Sequence, residues 1–231
     1  MSEPKIKKRT RARGDEDKGK RREMILDAAE KVMAKRGLNG TNFGAIAKQS
    51  RLSRSLIYVY FPKHLDLIGA VCERALLALR ARFVDATGRH ERGIEQIVAM
   101  AREYYAFSKE EPLYFLVIAE HETSVMHPPG QKGADRKASE CGKEVLGLVA
   151  SAVKKGIEDG SIRPECGDPM LSAVSIWAFS HGLIQISTAR EAMLNEELGV
   201  DIADVTEQGF RLLRHTLAQG SGHRLQLTQC Q

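Results

Sequence analysis

The chain has 231 residues, of which 42% are hydrophobic and 28% charged, and this composition indicates a soluble folded protein with one large domain or two small ones. The formal net charge of +5 conceals an asymmetry, because residues 1–63 carry 17 basic and 7 acidic side chains whereas residues 64–231 carry 18 basic and 23 acidic ones. This composition excludes a disordered chain. The charge favours a polyanionic partner for the basic residues 1–63, although a solvated basic tail would have the same charge.

Two further patterns bear on the cellular compartment. No apolar segment follows the basic residues at the N-terminus, so the sequence predicts no secretory signal. The cysteines lie far apart, at Cys72, Cys141, Cys166 and Cys230. This spacing argues against a zinc site or a disulfide framework, and we expect a cytoplasmic protein without a metal or other cofactor.

The first predicted element is a basic N-terminal arm. Residues 1–20 are polar, rich in lysine and arginine, and show no apolar period, so we expect a disordered segment that adds phosphate contacts or acts as a solubilising tail. From Arg21 the pattern changes to the stripe of an amphipathic helix, which Gly37 is placed to end. The apolar positions of that stripe are Ile25, Ala28, Ala29, Val32 and Met33.

Two short helices joined by a turn follow this first helix. Thr41 and Asn42 are good N-cap residues for the first of them. Ser53 is an N-cap for the second, a helix over 54–61 that Pro62 ends. Three helices, of which the last two are short and joined by a tight turn, are the outline of a helix-turn-helix unit.

Helices are also predicted for the rest of the chain. Their expected bounds are Asp66–Ala86 and about 91–108, 112–126, 135–159, 169–190 and 203–218. No stretch alternates like a strand, so the predicted fold class is all-α, with a domain boundary inside the long 65–86 helix. The expected organisation is a disordered arm over 1–20, a helix-turn-helix domain over 21–64, a second helical domain over 65–219 and a flexible tail over 220–231.

One predicted helix is unusually apolar. The stretch Pro169–Ala189 has no charged residue and is nearly long enough to span a bilayer. Its serines, together with His181 and Gln185, would be costly to place in lipid. We therefore expect a helix that is buried within the protein.

The residues from Arg21 to about Leu76 resemble the TetR family of bacterial one-component transcriptional regulators. The matching residues, in matching order and spacing, are Ile25-x-x-Ala28-Ala29, Gly37, Thr41, Ile46-Ala47, Leu52-Ser53 and Ile57-Tyr58-Val59-Tyr60-Phe61. The remaining two thirds of the chain resemble the family in general character, as an all-helical variable domain. The resemblance implies a homodimer that binds DNA through its first three helices and, usually, a small ligand in the second domain.

The helix over 54–61 has two distinct sides. On a helical wheel the inner arc holds Leu56, Ile57, Tyr60 and Phe61, and the outer arc holds Arg54, Ser55, Tyr58 and Val59. Arginine, serine and tyrosine side chains from the first turns of a helix suit the major groove of DNA. Arg54 is the best candidate for reading a base, since a bidentate contact to guanine discriminates by roughly 1–3 kcal/mol. The alternative is a solvated arginine at the start of a helix.

Other residues near these helix ends are candidates for contacts with DNA. Thr41 and Ser53 are caps, and helix N-termini also bind phosphate. Tyr60 lies on the inner arc, but its hydroxyl can still reach a phosphate. The family commonly has lysine where His64 stands, and the neighbouring Lys63 is the candidate for that role. The full predicted set is Thr41, Asn42, Ser53, Arg54, Ser55, Tyr58, Tyr60, Lys63 and His64.

The second domain is expected to bury a core large enough for a ligand pocket. Pockets are mostly apolar with a few polar anchors, and plain core packing is the alternative for each candidate. The candidates are Tyr104, Phe107, Tyr114, Phe115, Ile118, His121, Met126, Trp177 and His181. Helices 169–190 and 203–218 are expected to form the dimer interface, as a four-helix bundle with a second subunit.

Together with these patterns, the resemblance implies a sequence-specific DNA-binding regulator, namely a ligand-released repressor that binds a palindromic operator as a homodimer. Two alternatives stay open. Non-specific DNA binding by a basic helical protein is the first. An enzyme is the second, but the sequence has no P-loop, hydrolase or dinucleotide motif, and Val125 stands where H-E-x-x-H needs its second histidine.

Overall fold

The structure of the chain is a computed structural model that describes residues 5–123 and 134–220. These residues form ten α-helices and one 3₁₀ turn and contain no strand, so the all-α prediction is confirmed. The helices are α1 Lys5–Arg36, α2 Phe43–Ser50, α3 Arg54–Tyr60, α4 His64–Gly88, α5 Gly93–Glu110, α6 Pro112–Thr123, α7 Ala134–Glu158, α8 Pro169–Ala189, α9 Glu191–Glu196 and α10 Ile202–Leu217.

Most predicted helices agree with this list at both ends, because long apolar stripes with a 3.6-residue period occur in helices alone. The helix α9 and the 3₁₀ turn Pro164–Cys166 are not predicted from the sequence. Both are too short to show a period. The predicted end of α6, at residue 126, lies outside the described residues.

The first helix is longer than the sequence predicts, because α1 begins at Lys5 instead of near Arg21. A disordered arm is predicted over 1–20, whereas the structure continues one helix through the described part of this stretch. Lys20 pairs with Glu16 one turn away at 2.8 Å, and both side chains are exposed. Pairs one turn apart, such as this one, favour continuation of a helix.

The chain divides into two compact units, and the first division falls between Leu77 and Ala78, within α4. The first unit comprises Met1–Leu77 and Glu111–Cys141, and the second comprises Ala78–Glu110 and Gly142–Gln231. Helices α4 and α7 each contribute residues to both units, whereas α6 belongs to the first. The segment expected to be one second domain therefore contributes to both units.

The core of the first unit brings α1, α2, α3 and α4 together. Its fully buried side chains include Ile25, Leu26, Ile46, Ile57 and Leu67, which come from all four helices. Burying an aliphatic side chain of this size contributes about 1.5–3 kcal/mol. The apolar stripe predicted for α1 is therefore buried in this core, where α2 packs against α1 and α3 packs against α2.

An arginine on α4 gathers three carboxylates of α1. The Arg74 guanidinium donates to Asp27 at 2.9 Å and to Glu30 at 2.7 Å, and it also pairs with Glu23. Burial acts to lower the pKa of Arg74, but the hydrogen bonds to these carboxylates outweigh it and raise that pKa. The Tyr114 hydroxyl on α6 donates to Glu30 at 3.2 Å. One polar network thus joins α1, α4 and α6 within the first unit.

In the second unit, the N-terminus of α5 is capped by residues that follow α7. The Asp159 carboxylate accepts a hydrogen bond from the backbone N–H of Gly93 at 2.8 Å. The Ser161 hydroxyl accepts one from the N–H of Ile94 at 3.1 Å. These bonds satisfy two of the N–H groups that the first turn of a helix leaves open, and they fix the start of α5 against α7.

The apolar helix α8 is half-buried within the single chain. By length and composition it could cross a membrane, and 33% of its most apolar window is buried. Ala173, Ile176 and Ile184 lie in the core, whereas Leu171 is 71% exposed and Ile186 is 65% exposed. The sequence does not show which side of α8 is exposed, because apolar and uncharged polar side chains are spread around the helix and no charged face marks that side.

Candidate nucleic-acid interface

The N-terminus of α2 is capped by Asn42, whose side chain accepts a hydrogen bond from the N–H of Ala45 at 3.0 Å. Thr41 beside it has a different role. It is 5% exposed, and its hydroxyl donates to the carbonyl of Gly37 at 2.8 Å. The structure therefore brings Asn42 to the surface at the start of α2, whereas Thr41 closes the turn between α1 and α2.

The helix α3 begins with a cap and a short hydroxyl pair. Ser53 accepts a hydrogen bond from the N–H of Leu56 at 3.2 Å, and the Ser53 and Ser55 hydroxyl oxygens lie 3.0 Å apart. The inner arc of the helical wheel is buried or half-buried, as predicted. The exposed side chains of α3 are Arg54, Ser55, Tyr58 and Val59. This exposed side is named the α3 face below.

Aromatic contacts hold two side chains of the α3 face in place. The Tyr58 ring meets the buried Phe43 ring edge-on, with centroids 4.7 Å apart and planes at 80°. Phe43 also lies near the His64 ring, at 6.1 Å between centroids. The Arg54 guanidinium lies over the Tyr58 ring, 5.9 Å from its centroid. These contacts restrict Arg54 and Tyr58 to one part of the surface before any ligand binds.

The surface around α2 and α3 is strongly basic. Between Glu30 and Asp66 the sequence has seven lysines and arginines and no aspartate or glutamate. The Asp66 carboxylate accepts a hydrogen bond from the N–H of Lys63 at 3.0 Å, so it is engaged at the start of α4. No ion pair engages Arg54 within the described ranges. This part of the surface therefore has the charge that attracts a polyanion.

The remaining predicted DNA-binding residues lie at the turn between α3 and α4. Lys63 and His64 are exposed, and Tyr60 is half-buried. The contact of Phe43 with both Tyr58 and His64 joins this turn to the α3 face. Apart from the buried Thr41, the predicted residues are thus exposed or half-exposed at the ends of α2 and α3 or on α3 itself.

One residue of the α3 face is absent from the predicted set. Val59 is 75% exposed, although it is a β-branched apolar residue in a helix. Its outward position on the helical wheel was the signal that could have included it. An exposed valine on such a helix offers methyl groups that can contact the thymine methyl in the major groove.

Arg22, a basic residue near the predicted arm, has a structural role. Its guanidinium lies over the Phe61 ring at 5.6 Å from the centroid and pairs with Glu73 at 3.6 Å. Phe61 is buried directly after α3. Arg22 therefore helps to hold α1 against the end of α3, which counting charges along the sequence could not show.

Four of the predicted pocket residues lie in the second unit. The Tyr104 hydroxyl and the His181 Nδ1 atom are 2.7 Å apart in the interior, and the Trp177 ring lies 5.9 Å from the His181 ring. Phe107 is fully buried, and the Arg82 guanidinium lies over its ring at 5.5 Å. The structure therefore joins Tyr104, Trp177 and His181 in one cluster on α5 and α8.

The other described pocket candidates lie on α6 in the first unit, and they are Tyr114, Phe115, Ile118 and His121. Phe115 and Ile118 are buried. Burial, together with the charge of Glu30, raises the pKa of Tyr114 to about 12. Met126 lies outside the described residues. The predicted pocket residues thus divide between two units.

The buried histidine is expected to make stability depend on pH. Burial lowers the pKa of His181 below its ordinary value of 6.5, so the unfolded chain binds a proton that the folded protein does not. The free energy of unfolding should therefore fall as the pH drops below about 6.5, by at most about 1.4 kcal/mol per pH unit for this group. Urea unfolding between about pH 7.5 and 5.5 measures this dependence.

Two variants test whether the His181 imidazole causes this pH dependence. His181→Gln should flatten this part of the pH dependence, because the titrating group is gone. Tyr104→Phe should destabilise the protein but keep the dependence, because the buried imidazole stays. An unchanged pH dependence in His181→Gln would rule out the assignment.

The sequence is similar to known bacterial regulatory proteins over part of its length. Residues 25–71 match the family model described as bacterial regulatory proteins, tetR family. Over 103 residues the chain is 31% identical to the HTH-type transcriptional repressor BepR of Brucella suis biovar 1 (strain 1330), an alignment that covers 42% of this chain. It covers 48% of BepR, so the match spans about half the length of that relative.

Two solved structures share the fold over most of the chain. A protein of unknown function from Rhodococcus sp. RHA1 has a TM-score of 0.69 at 23% identity, over 86% of this chain and 95% of its own. The transcriptional regulator FadR of Bacillus subtilis, in complex with stearoyl-CoA, has a TM-score of 0.64 at 17% identity, over 84% of this chain and 98% of its own. At these identities the likeness shows a common fold.

Proposed function

We propose that this chain, whose residues 25–71 match the tetR family model, is a transcriptional regulator, namely a ligand-released repressor that binds a palindromic DNA operator as a homodimer in the cytoplasm. The observation that carries the proposal is the α3 face. It presents an arginine, a serine, a tyrosine and a valine to solvent from a helix of seven residues. A short helix that exposes an arginine, hydroxyl groups and a valine on one side has the dimensions and chemistry of a major-groove reader.

In this proposal Arg54 reads a base and its neighbours set the register. The Arg54 fork donates to the O6 and N7 atoms of guanine, and Tyr58 and Val59 contact thymine methyl groups or the sugar-phosphate backbone. Asn42 and Ser53 stand at helix N-termini, where backbone N–H groups favour phosphate. Phosphate contacts of this kind fix the position of a protein on DNA, while base contacts select the sequence.

The homodimer is supported by the apolar surfaces of α8 and α10. Leu171 and Ile186 on α8 are more than half exposed, and so is Leu212 on α10. The two helices pack closely within the second unit, since a Cβ at Gly209 would meet Leu183 at 2.3 Å. Exposed apolar surface of this kind on adjacent helices marks an interaction site. A second copy that adds its own α8 and α10 would complete a four-helix bundle.

The ligand in this proposal binds the second unit near the cluster formed by Tyr104, Trp177 and His181. Aromatic rings with a buried hydroxyl and an imidazole are the combination of apolar walls and polar anchors that small-molecule sites use. The structural relative FadR is in complex with stearoyl-CoA. Acyl-CoA thioesters of graded chain length are therefore the first effectors to test.

Non-specific binding to duplex DNA is the alternative that the basic surface also favours. Phosphate contacts alone would give similar affinity for all sequences. The rings that hold Arg54 and Tyr58 favour the specific reading, because electrostatic attraction to a backbone does not need orientated side chains.

Selection of bound sequences from random duplex DNA tests the proposal. We expect an inverted repeat whose half-sites are centred about one helical turn apart, at ~34–36 Å, because a two-fold symmetric dimer presents two α3 faces. Titration of the selected duplex with acyl-CoA thioesters should then weaken binding by about 5- to 150-fold for the effector.

The control is a duplex of the same length and composition with the repeat scrambled. Enrichment without any common sequence would support non-specific binding instead. A single half-site or a direct repeat would contradict the symmetric dimer.

A further inference from the structure

A surface cleft of about 420 Å³ lies between α1 and α2, and none of its lining residues belongs to the α3 face. The residues that line it on α1 are spaced three and four apart, as are those on α2, so each helix contributes one side. The buried Val32 and the half-buried Ala45 form its apolar floor. This cleft is named the α1–α2 cleft below.

Four cations surround the α1–α2 cleft. They are Lys35, Arg36, Lys48 and Arg51, and all four side chains are exposed. Within the described ranges none of them forms an ion pair, and the sequence places no carboxylate between Glu30 and Asp66. The C-terminal ends of α1 and α2 carry partial negative charge, but these sum to about one elementary charge against four positive ones.

The backbone at Arg51 is a second observation at this cleft. Arg51 ends α2 with φ 58° and ψ 29°, and among the described non-glycine residues it alone has a positive φ. Glycine adopts this conformation without the steric cost that a Cβ brings. This conformation is common where a helix ends, and here it fixes the backbone of Arg51 at the mouth of the cleft.

From this arrangement we infer that the α1–α2 cleft binds an anion with two or more adjacent phosphate groups. Arginine forks match phosphate oxygens in pairs, and lysines add compact positive charges around them. No aromatic residue lines the cleft, so it recognises the phosphates and not a stacked base. Its volume falls within the range of small-molecule sites, about 300–1,000 Å³.

Two sources can supply adjacent phosphates, namely a free oligophosphate and the backbone of a nucleic-acid strand. The first test uses inorganic tripolyphosphate and the full chain in isothermal titration calorimetry at constant ionic strength. Replacing Lys35 and Lys48 together by glutamine should weaken tripolyphosphate binding by about a hundredfold, because each of the two charge-assisted hydrogen bonds to a phosphate is worth about a factor of ten.

The matched control replaces Lys143 and Lys155 by glutamine. Both are exposed lysines on α7, so the net charge changes equally while the cleft stays intact. Citrate serves as a control ligand with three carboxylates. The inference is overturned if both double variants lose tripolyphosphate equally, if neither loses it, or if citrate binds as tightly as tripolyphosphate.

A second experiment distinguishes the two sources of phosphate, and it rests on the proposed function. If the cleft holds the DNA backbone, the Lys35→Gln, Lys48→Gln variant should bind operator DNA with a shallower slope of log K against log salt. The slope should change by about 0.9 for each phosphate that the variant no longer neutralises. An unchanged slope, in a variant that fails to bind tripolyphosphate, assigns the cleft to a free oligophosphate. The calorimetric titration needs no operator DNA, so its result stands even if the protein selects no DNA sequence.

Discussion

Replacing Arg54 by alanine is expected to remove discrimination at one base pair in each half of the operator. The guanidinium is the first exposed group of α3, is held over the Tyr58 ring and forms no ion pair within the described ranges. A bidentate arginine–guanine contact is worth about 1–3 kcal/mol, so the preference for the cognate base should fall by about 5- to 150-fold per half-site. Competition binding between the selected duplex and single-base variants measures this loss.

The variant Arg54→Lys separates base reading from simple charge. Lysine keeps the positive charge but lacks the rigid planar fork, so it should retain affinity for DNA in general while reducing discrimination at the same base pair. A different outcome would assign Arg54 to a phosphate. In that case Arg54→Ala would weaken binding equally for all sequences, and Arg54→Lys would restore it.

Replacing Gly93 by alanine is expected to destabilise the protein by about 3 kcal/mol or more, because the added methyl group has no space. A Cβ at Gly93 would lie 2.2 Å from the backbone nitrogen of Gly156 and 2.4 Å from the carbonyl oxygen of Ala152. Backbone atoms cannot rotate away as a side chain can. The helices α5 and α7 would have to separate, and the hydrogen bond from Gly93 to Asp159 would be strained.

Gly147→Ala is the matched control for this prediction. Gly147 lies within α7, and a Cβ there would meet nothing within 4 Å. This variant should stabilise the protein by about 0.5–1 kcal/mol, because alanine loses less backbone entropy than glycine in a helix. Urea unfolding of both variants gives the comparison. Equal unfolding midpoints for Gly93→Ala and the wild type would contradict the close approach of α5 and α7.

The two short helices show what a local pattern can predict. The caps at Asn42 and Ser53 depend on side chains bonding within three residues, so the starts of α2 and α3 follow from local sequence. The two sides of α3 follow from its helical period. Burial of Ile57 and exposure of Arg54 agree with the wheel, because the inner arc packs into the core of the first unit and the outer arc faces solvent.

Other roles of residues in the candidate site cannot be predicted from local sequence patterns. Thr41 and Asn42 are equally good caps in the sequence, but the Thr41 hydroxyl bonds to Gly37 and the side chain is buried. Arg22 is one of many basic residues near the N-terminus, yet it packs on Phe61, 39 positions later in the sequence. These roles depend on which side chains the turns bring together, and residue type and spacing do not record that.

By itself the sequence determined that this protein is all-α, that its N-terminal part is basic, and that α3 of a helix-turn-helix outline exposes the side that contains Arg54. Charge and helical period are properties of consecutive residues. Only the tertiary structure decided which side of the uncharged helix α8 is exposed and that the predicted pocket residues divide between two units. It also decided that the cations of the α1–α2 cleft surround one space. The physical reason is that burial and charge clustering are set by contacts between helices distant in the chain, which no periodicity within one helix specifies.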